Sequence, residues 1–456
     1  MDRSLKAVLI GTFTLRFSTG LTGAMLTSYL AKLPLYHPDA APVSAITVGV
    51  FAATFYVGEL VLSPVFGILS DRLGHHRVML WGPVFGAAAV VLTALTGNLV
   101  LLGVTRFLGG SSTAASIPSI LGYIAIATAG SEALRGRAAS RFEAATLAGI
   151  GAGFIVAPKL FEALGPQAFL FNALFYGGSF AIYFFGVKDA AAEADNRSAG
   201  EAKAKRDGDG EPIGEVVGEV VAHEATTLRR YFELVTHAHV WLLAPTWIAV
   251  NAAIGLWFSQ SLFQFQRSDP RFPDQWLLQG FSANQITVGA LVIAVIFGAG
   301  IFWWGNRFDQ YRRTTIILVG VVGGIALAGA GVVVNHAAFG ASSSAIQAGL
   351  VGLSVVVVAG GLFVLAGATP AAVGLLADVS EQFPADRGAI MGLYSVFLGV
   401  GQIVGALLGG IAAEWRGMDG LMVGTAAILA LALLPLRQLR RTEHYLDGPS
   451  GPVALG

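Results

Sequence analysis

The chain contains no cysteine, which excludes disulfides, thiolate metal sites and cysteine nucleophiles. Charge is scarce too. Asp, Glu, Lys and Arg make up 12% of 456 residues, against roughly 25% in soluble domains. The 28 basic and 28 acidic residues cancel, so no net positive field is available to attract nucleic acid. Three motifs are also missing: a Gly-rich phosphate loop ending in Lys-Ser/Thr, a His-Glu-x-x-His helix and a Gly-x-Ser-x-Gly elbow. ATP-driven pumping, zinc proteolysis and serine hydrolysis therefore lack their residues. The chain does not read as an enzyme, and no cofactor or metal is expected.

Apolar residues, in contrast, form 55% of the chain, with a mean hydropathy of +0.68 and 59 glycines. A helix needs about 20 mainly apolar residues to cross a bilayer. Twelve stretches qualify: 7–33, 44–69, 77–96, 98–126, 138–163 and 167–187, then 239–264, 285–305, 314–335, 346–376, 387–412 and 418–436. Met1-Asp-Arg-Ser-Leu-Lys6 has the look of a signal-peptide start, but the apolar run continues to Leu33 without a small-x-small cleavage site. It is read as a retained first span. Most glycines lie inside the apolar runs, where small residues let helix backbones approach.

Residues 188–238 interrupt the pattern. Lys188 to Glu211 is too rich in Ala, Asp, Glu, Lys and Gly to order itself. Ile213 to His239 suits a short amphipathic helix on the membrane surface. The expected division is 1–187 as one six-helix half, 188–238 as a linker, 239–440 as the second half and 441–456 as a tail. A loop at 265–284, with Asp269-Pro-Arg-Phe-Pro273 and Trp276, reads as structural, with interfacial aromatics.

Gly67-Ile-Leu-Ser-Asp-Arg-Leu-Gly-His-His-Arg77 is a short polar turn between spans two and three. Gly305-Asn-Arg-Phe-Asp-Gln-Tyr-Arg-Arg313 echoes it between spans eight and nine, with Asp71 and Asp309 each four residues after a glycine. Lys and Arg concentrate in alternate loops, including Arg72, Arg77, Arg135, Arg137, Arg307, Arg312, Arg313 and Arg387, and at both ends of the chain. By the positive-inside rule both termini are expected to be cytoplasmic, in a plasma or bacterial inner membrane. His75 and His76 are read as solvated loop residues.

Twelve spans in two sixes, a hydrophilic centre and this turn after spans two and eight resemble the major facilitator superfamily of secondary transporters. Gly67, Leu69, Ser70, Asp71, Arg72 and Gly74 stand where the family's loop motif places Gly, Leu, Ser, Asp, Arg and Gly. His75 and His76 depart from it, since basic residues are usual there. Arg106-Phe-Leu-Gly-Gly110 is similar to an Arg-x-x-x-Gly pattern of proton-coupled members, and Gly149-Ile-Gly-Ala-Gly153 with Pro158 loosely resembles an antiporter pattern. The resemblance implies an all-α integral membrane fold, twelve transmembrane helices as two pseudo-symmetric six-helix bundles, working by alternating access. It further implies a conformational latch made of Gly67, Asp71, Arg72, Gly74 and Arg77, echoed by Gly305, Asp309 and Arg313. Asp71 would face the start of span eleven near Pro384–Gly388.

Ionisable residues at membrane depth are costly and are functional candidates by default. Arg16 lies about 14 Å into span one at 1.5 Å per residue. Glu59 and Arg106 fall at comparable depth, and Glu143 is shallower. Two readings stand: the arginines bind a polar or anionic substrate, or Arg106 pairs with Glu59 or Glu143 to couple protons. The second half offers Asn251, Trp257, Gln260, Tyr394 and Gln402 as polar and aromatic cavity residues. The function expected is proton-coupled export of small amphiphilic or drug-like molecules by a monomer in the lipid bilayer. The alternatives are a proton-coupled importer of a small organic anion and a non-transporting membrane scaffold of the same fold.

Overall fold

The computed structural model describes residues 3–128, 132–188, 243–307, 310–337, 345–381 and 387–442. The linker and tail expectations, including the amphipathic helix, fall largely or wholly outside these residues, as does Asp309. All regular elements among the described residues are helical. They are α1 (Arg3–Ala31), α2 (Leu33–Tyr36), α3 (Ala45–Leu73), α4 (His75–Met79), α5 (Trp81–Ala94), α6 (Leu99–Ala127), α7 (Glu132–Leu164) and α8 (Gln167–Gly186). After the linker come α9 (Ala244–Gln266), a 3₁₀ turn (Trp276–Leu278), α10 (Ala283–Gly305), α11 (Arg313–Asn335), α12 (Ala345–Ala366), α13 (Ala368–Glu381) and α14 (Arg387–Thr442).

These helices map onto the twelve expected spans. Span three is α4 with α5, and span ten is α12 with α13. Spans eleven and twelve are the two arms of α14, which breaks at Arg416 and Gly417 (φ +56°). Eight segments among the described residues are long and apolar enough to cross a membrane. Helices α1, α6 and α9 are as long but carry more hydroxyl, amide and charged groups. Local chemistry sets several ends. The Asn98 side chain accepts from Val100 and Leu101 N–H at the start of α6, and Ser282 with Gln285 forms a capping box on α10.

Two compact units emerge: Met1–Tyr29 with Thr54–Arg229, and Leu30–Ala53 with Arg230–Gly456. The division cuts α3 after Ala53, so its first turns belong with the second unit.

Within each unit glycines bring helices together. In unit 1, a Cβ on Gly149 of α7 would lie 2.6 Å from the Phe13 carbonyl oxygen of α1, and one on Gly153 would collide with the Phe17 carbonyl. Gly58 of α3 meets the Phe107 carbonyl of α6 in the same way at 2.8 Å. In unit 2, Gly401, Gly405 and Gly409 line one face of α14 against Ile248, Ala252 and Leu256 of α9. Gly300 of α10 meets the Phe363 carbonyl of α12. Span one against five and span seven against eleven therefore use one device, as do two against four and eight against ten. In a bilayer, where apolar burial drives no association, such close packing is what holds helices together.

Candidate functional site

The buried polar groups of unit 1 converge on α1. One face of α8 fastens α1 in register. Asn172 Nδ2 donates to the Ser18 carbonyl (3.0 Å) and to Thr22 Oγ1 (2.8 Å). Ser179 Oγ donates to the Gly11 carbonyl (3.0 Å), and Tyr183 OH to Thr12 Oγ1 (3.4 Å). Tyr176 OH lies 3.5 Å from Thr22 Oγ1. Residues 172, 176, 179 and 183 recur at helical spacing, so one stripe on α8 makes every contact. Asn172 Oδ1 is buried and has no partner.

So anchored, α1 presents Arg16, 7% exposed, to the interior. Its guanidinium donates to Thr113 Oγ1 of α6 at 3.4 Å. Its electrostatic neighbours include Glu59 on α3 and Glu143 on α7. No direct ion pair joins Arg16 to either carboxylate among the described residues. Glu59 is half-buried, and Glu143 is exposed.

Arg106 sits differently. Its guanidinium lies over the Phe55 ring, 4.8 Å from the centroid, and its charge acts on the phenols of Tyr56 and Tyr176. Among the described residues no direct ion pair joins Arg106 to Glu59 or Glu143, one of the two readings open from the sequence. Arg16 is the cation whose charge acts on both acids, and α1 packs on α7 through Gly149 and Gly153. Arg106, on α6, meets an aromatic wall. Tyr56 is influenced by Glu59, Arg106 and Arg16 together, which puts a phenol at the centre of the charges. Sequence reasoning missed Tyr56, Tyr176 and Thr113. A search for hydroxyls one turn from each buried charge would have found Tyr56, three residues before Glu59.

At one end of unit 1, the Gly67–Arg77 turn is ordered by its own side chains. Gly74 adopts φ +94°, a conformation that favours glycine. Ser70 Oγ donates to the Gly67 carbonyl at 2.7 Å. Gly67 has room, its nearest neighbour for a Cβ being Pro118 at 3.8 Å. Asp71 is 74% exposed, with His75 Nε2 at 3.7 Å. Arg72 and Arg77 are exposed as well. His75 and His76 are not the solvated residues expected. The His75 ring packs onto Gly122 of α6 with Nδ1 3.1 Å from Ser70 Oγ, and His76 Nε2 lies 3.0 Å from the Tyr183 carbonyl of α8. Both are anchors, because α4 turns inward as soon as Gly74 reverses the chain. In the second copy, Gly305 ends α10 in open space, Arg307 stacks 3.6 Å over the Trp303 ring, and the Arg313 guanidinium lies beside Gly374.

Unit 2 places its expected residues between helices. Asn251 is buried and donates to its own helix at the Trp247 carbonyl (2.9 Å). Trp257 Nε1 donates to Thr425 Oγ1 (2.8 Å). Gln260 Nε2 donates to the Ala45 carbonyl at the start of α3 (3.0 Å), while its Oε1 is without a partner. Gln402 packs over Gly255, and its Oε1 is also unpartnered. The side chain of Tyr394 lies outside the described residues.

The loop after α9 holds an ion cluster whose pairings the sequence does not announce. Asp269, 7% exposed, receives Arg267 (2.8 Å) and Arg271 (2.8 Å). Arg271 also reaches Glu414 at 2.7 Å, and Glu414 accepts the Ala45 N–H at 3.0 Å. Hydrogen bonds from Arg271 hold the Asp269 carboxyl below its ordinary range against the opposing effect of burial. Gln275 ties the same loop to the α14 break through the Arg416 carbonyl and the Met418 N–H (both 2.9 Å).

A sequence profile described as the Major Facilitator Superfamily matches residues 8–360 and, in a second match, 272–453. The chain belongs to that family. Among curated relatives, the quinolone resistance protein NorA of Staphylococcus aureus is 26% identical over 125 residues, covering 27% of this chain and 30% of NorA. The multidrug resistance protein MdtG of Proteus mirabilis is 30% identical over 109 residues, 24% of this chain and 26% of MdtG. These matches thus span less than a third of either relative. In overall fold the chain is similar to the solved peptide transporter POT, with a TM-score of 0.62 at 16% identity, covering 98% of this chain and 96% of that one. The profile match shows the family, and the solved structures, at 13% and 16% identity, show the fold.

Proposed function

We propose that this protein is a proton-coupled secondary transporter that exports small amphiphilic or drug-like molecules by alternating access, as a monomer in the plasma membrane with both termini cytoplasmic. The observation that carries the reading is the unit 1 cluster. Arg16 faces two carboxylates without a direct ion pair, while Arg106 is held by an aromatic wall. Charges at membrane depth are retained for work rather than packing. Carboxylates that share one cationic neighbour can exchange its influence as a proton binds and leaves. Glu59 is assigned the proton and Arg16 the counter-charge. Arg106, with Phe55, Tyr56 and Tyr176, is assigned the substrate, since a cation beside rings suits an amphiphile with a polar end. The drug-resistance names of NorA and MdtG support the substrate class. The Gly67–Arg77 turn, with Asp71 exposed at its apex, serves as the latch between conformations.

The test is transport in reconstituted vesicles with an imposed pH gradient, using a fluorescent amphiphilic substrate. Glu59→Gln should abolish acceleration by the gradient while leaving substrate binding within about threefold. Gradient-driven transport that survives in Glu59→Gln and in Glu143→Gln would sink proton coupling through this cluster. A second reading is uptake of an organic anion, favoured by Arg106 having no carboxylate partner among the described residues. Accumulation of anionic rather than neutral or cationic amphiphiles in the same vesicles would select it.

A further inference from the structure

Unit 1 carries a groove of about 490 Å³ between α1 and α8, at the end of the bundle that bears the Gly67–Arg77 turn. Its floor is Ala7 against Gly186, where a Cβ on the glycine would lie 2.7 Å from that of the alanine. The helices touch here almost backbone to backbone, so the larger side chains on either side stand up as walls. On α1 these are Arg3, Lys6 and Ile10, at positions i, i+3 and i+7 of one face. On α8 they are Ile182 and Phe185. The groove has a cationic end and an apolar length. Arg3 and Lys6 are exposed at the helix end, and the described residues lining the groove include no acid. Ile10 and Phe185, 58% and 83% exposed, form its apolar part. Lys188 adds a third exposed cation just beyond the mouth, tied to α1 by its N–H on Ser4 Oγ (3.3 Å).

We propose that this groove binds an anionic phospholipid of the adjacent leaflet. The headgroup phosphate sits on Arg3 and Lys6, and one acyl chain lies along Ile10, Ile182 and Phe185. Basic pockets between membrane helices recognise anionic headgroups through charge. A soluble anion would use the cations and leave the apolar walls idle; a zwitterionic lipid would use the walls and gain little from the cations. Only a ligand with both parts uses the whole groove. The bound lipid would bridge α1 and α8 beside the His76–Tyr183 contact, bracing the turn. The inference does not rest on what the protein transports.

The test uses the purified full-length protein in a neutral detergent, titrated with palmitoyl-oleoyl phosphatidylglycerol, palmitoyl-oleoyl phosphatidylcholine or inorganic phosphate. Thermal midpoint and native mass spectrometry are the readouts. Phosphatidylglycerol should raise the midpoint and be retained in the spectrum, with neither effect from phosphatidylcholine or phosphate. The Arg3→Gln/Lys6→Gln double variant should weaken phosphatidylglycerol binding on the order of tenfold or more. Phe185→Ser, at a surface position, should weaken it without changing the headgroup preference. Equal response to phosphatidylcholine, a matching response to phosphate, or an unchanged response in the double variant would each overturn the proposal.

Discussion

Gly149 joins the packing of α7 on α1 to the placement of Arg16, so replacing it tests both at once. A Cβ at this position would lie 2.6 Å from the Phe13 carbonyl oxygen and 2.9 Å from the Arg16 Cβ, where ordinary contact begins at 3.4 Å. In Gly149→Ala, α1 and α7 must therefore separate locally by about 0.8 Å, because a backbone carbonyl in a helix cannot swing aside as a side chain tip can. Overpacking of this kind costs about 1–3 kcal/mol. The neighbouring Gly151 has nothing within 4 Å of its Cβ position. Gly151→Ala should therefore show only the helix-propensity gain, of roughly 1 kcal/mol or less. That gain is common to both variants, so their difference isolates the contact. Denaturant titration followed by tryptophan fluorescence should place Gly149→Ala about 1–3 kcal/mol below Gly151→Ala. The same displacement moves Arg16 relative to Thr113, whose hydrogen bond at 3.4 Å is already near the limit of useful length. Transport should then fall in Gly149→Ala and not in Gly151→Ala. Equal stability and equal transport in the two variants would refute the packing argument and the link to Arg16 together.

At the loop cluster, Asp269 has a folded-state pKa below its unfolded value. Its stabilisation is present above about pH 4 and lost as pH falls through the folded value. The thermal midpoint should therefore drop in acid, and Arg271→Ala should flatten that drop and cost about 1 kcal/mol at neutral pH, since Arg271 is half exposed. An unchanged acid profile in Arg271→Ala would argue against the cluster. Gly74 has φ +94° and open space around it, so Gly74→Ala meets backbone strain alone, of order 1–3 kcal/mol. A melting curve superimposable on that of the unsubstituted protein would show that the turn can adopt another conformation.

Much of the architecture was legible because its cause is local. Twenty apolar residues must be a helix in a bilayer, where every backbone group needs an internal partner. Lys and Arg in alternate loops, with a repeated Gly-x-x-x-Asp, gave the expectation of two matching halves. What the sequence hid is what depends on which faces meet. Arg271 and Glu414 are far apart in the chain, and nothing in either neighbourhood announces the other. Depth alone left open whether Arg106 binds substrate or pairs with Glu59 or Glu143, because depth does not say which side chains face one another. The Asn172, Tyr176, Ser179 and Tyr183 stripe is legible in the sequence, being polar groups at helical spacing in an apolar span. His75 and His76 were misplaced because a turn between two spans reads as solvent-exposed, whereas Gly74 sends α4 straight back onto α6 and α8.

The two units also show which features the fold needs. Both bring helices together with glycine against carbonyl: α7 on α1 and α14 on α9, α3 on α6 and α10 on α12. That device requires only the absence of a side chain, and it serves in both halves. Charge deep inside the spans does not repeat among the described residues of unit 2. Arg16, Glu59 and Arg106 have counterparts in unit 2 only as amides and aromatics, such as Asn251, Gln260, Trp257 and Gln402, which are taken up in contacts between or within helices. If charge at membrane depth were required for packing, the half without it would pack by some other means, yet its backbone contacts are of the same kind. The arginines and carboxylates of unit 1 are therefore an addition to a scaffold that stands without them. Their desolvation is a standing cost, which is what makes them the candidates for the proposed substrate binding and proton coupling.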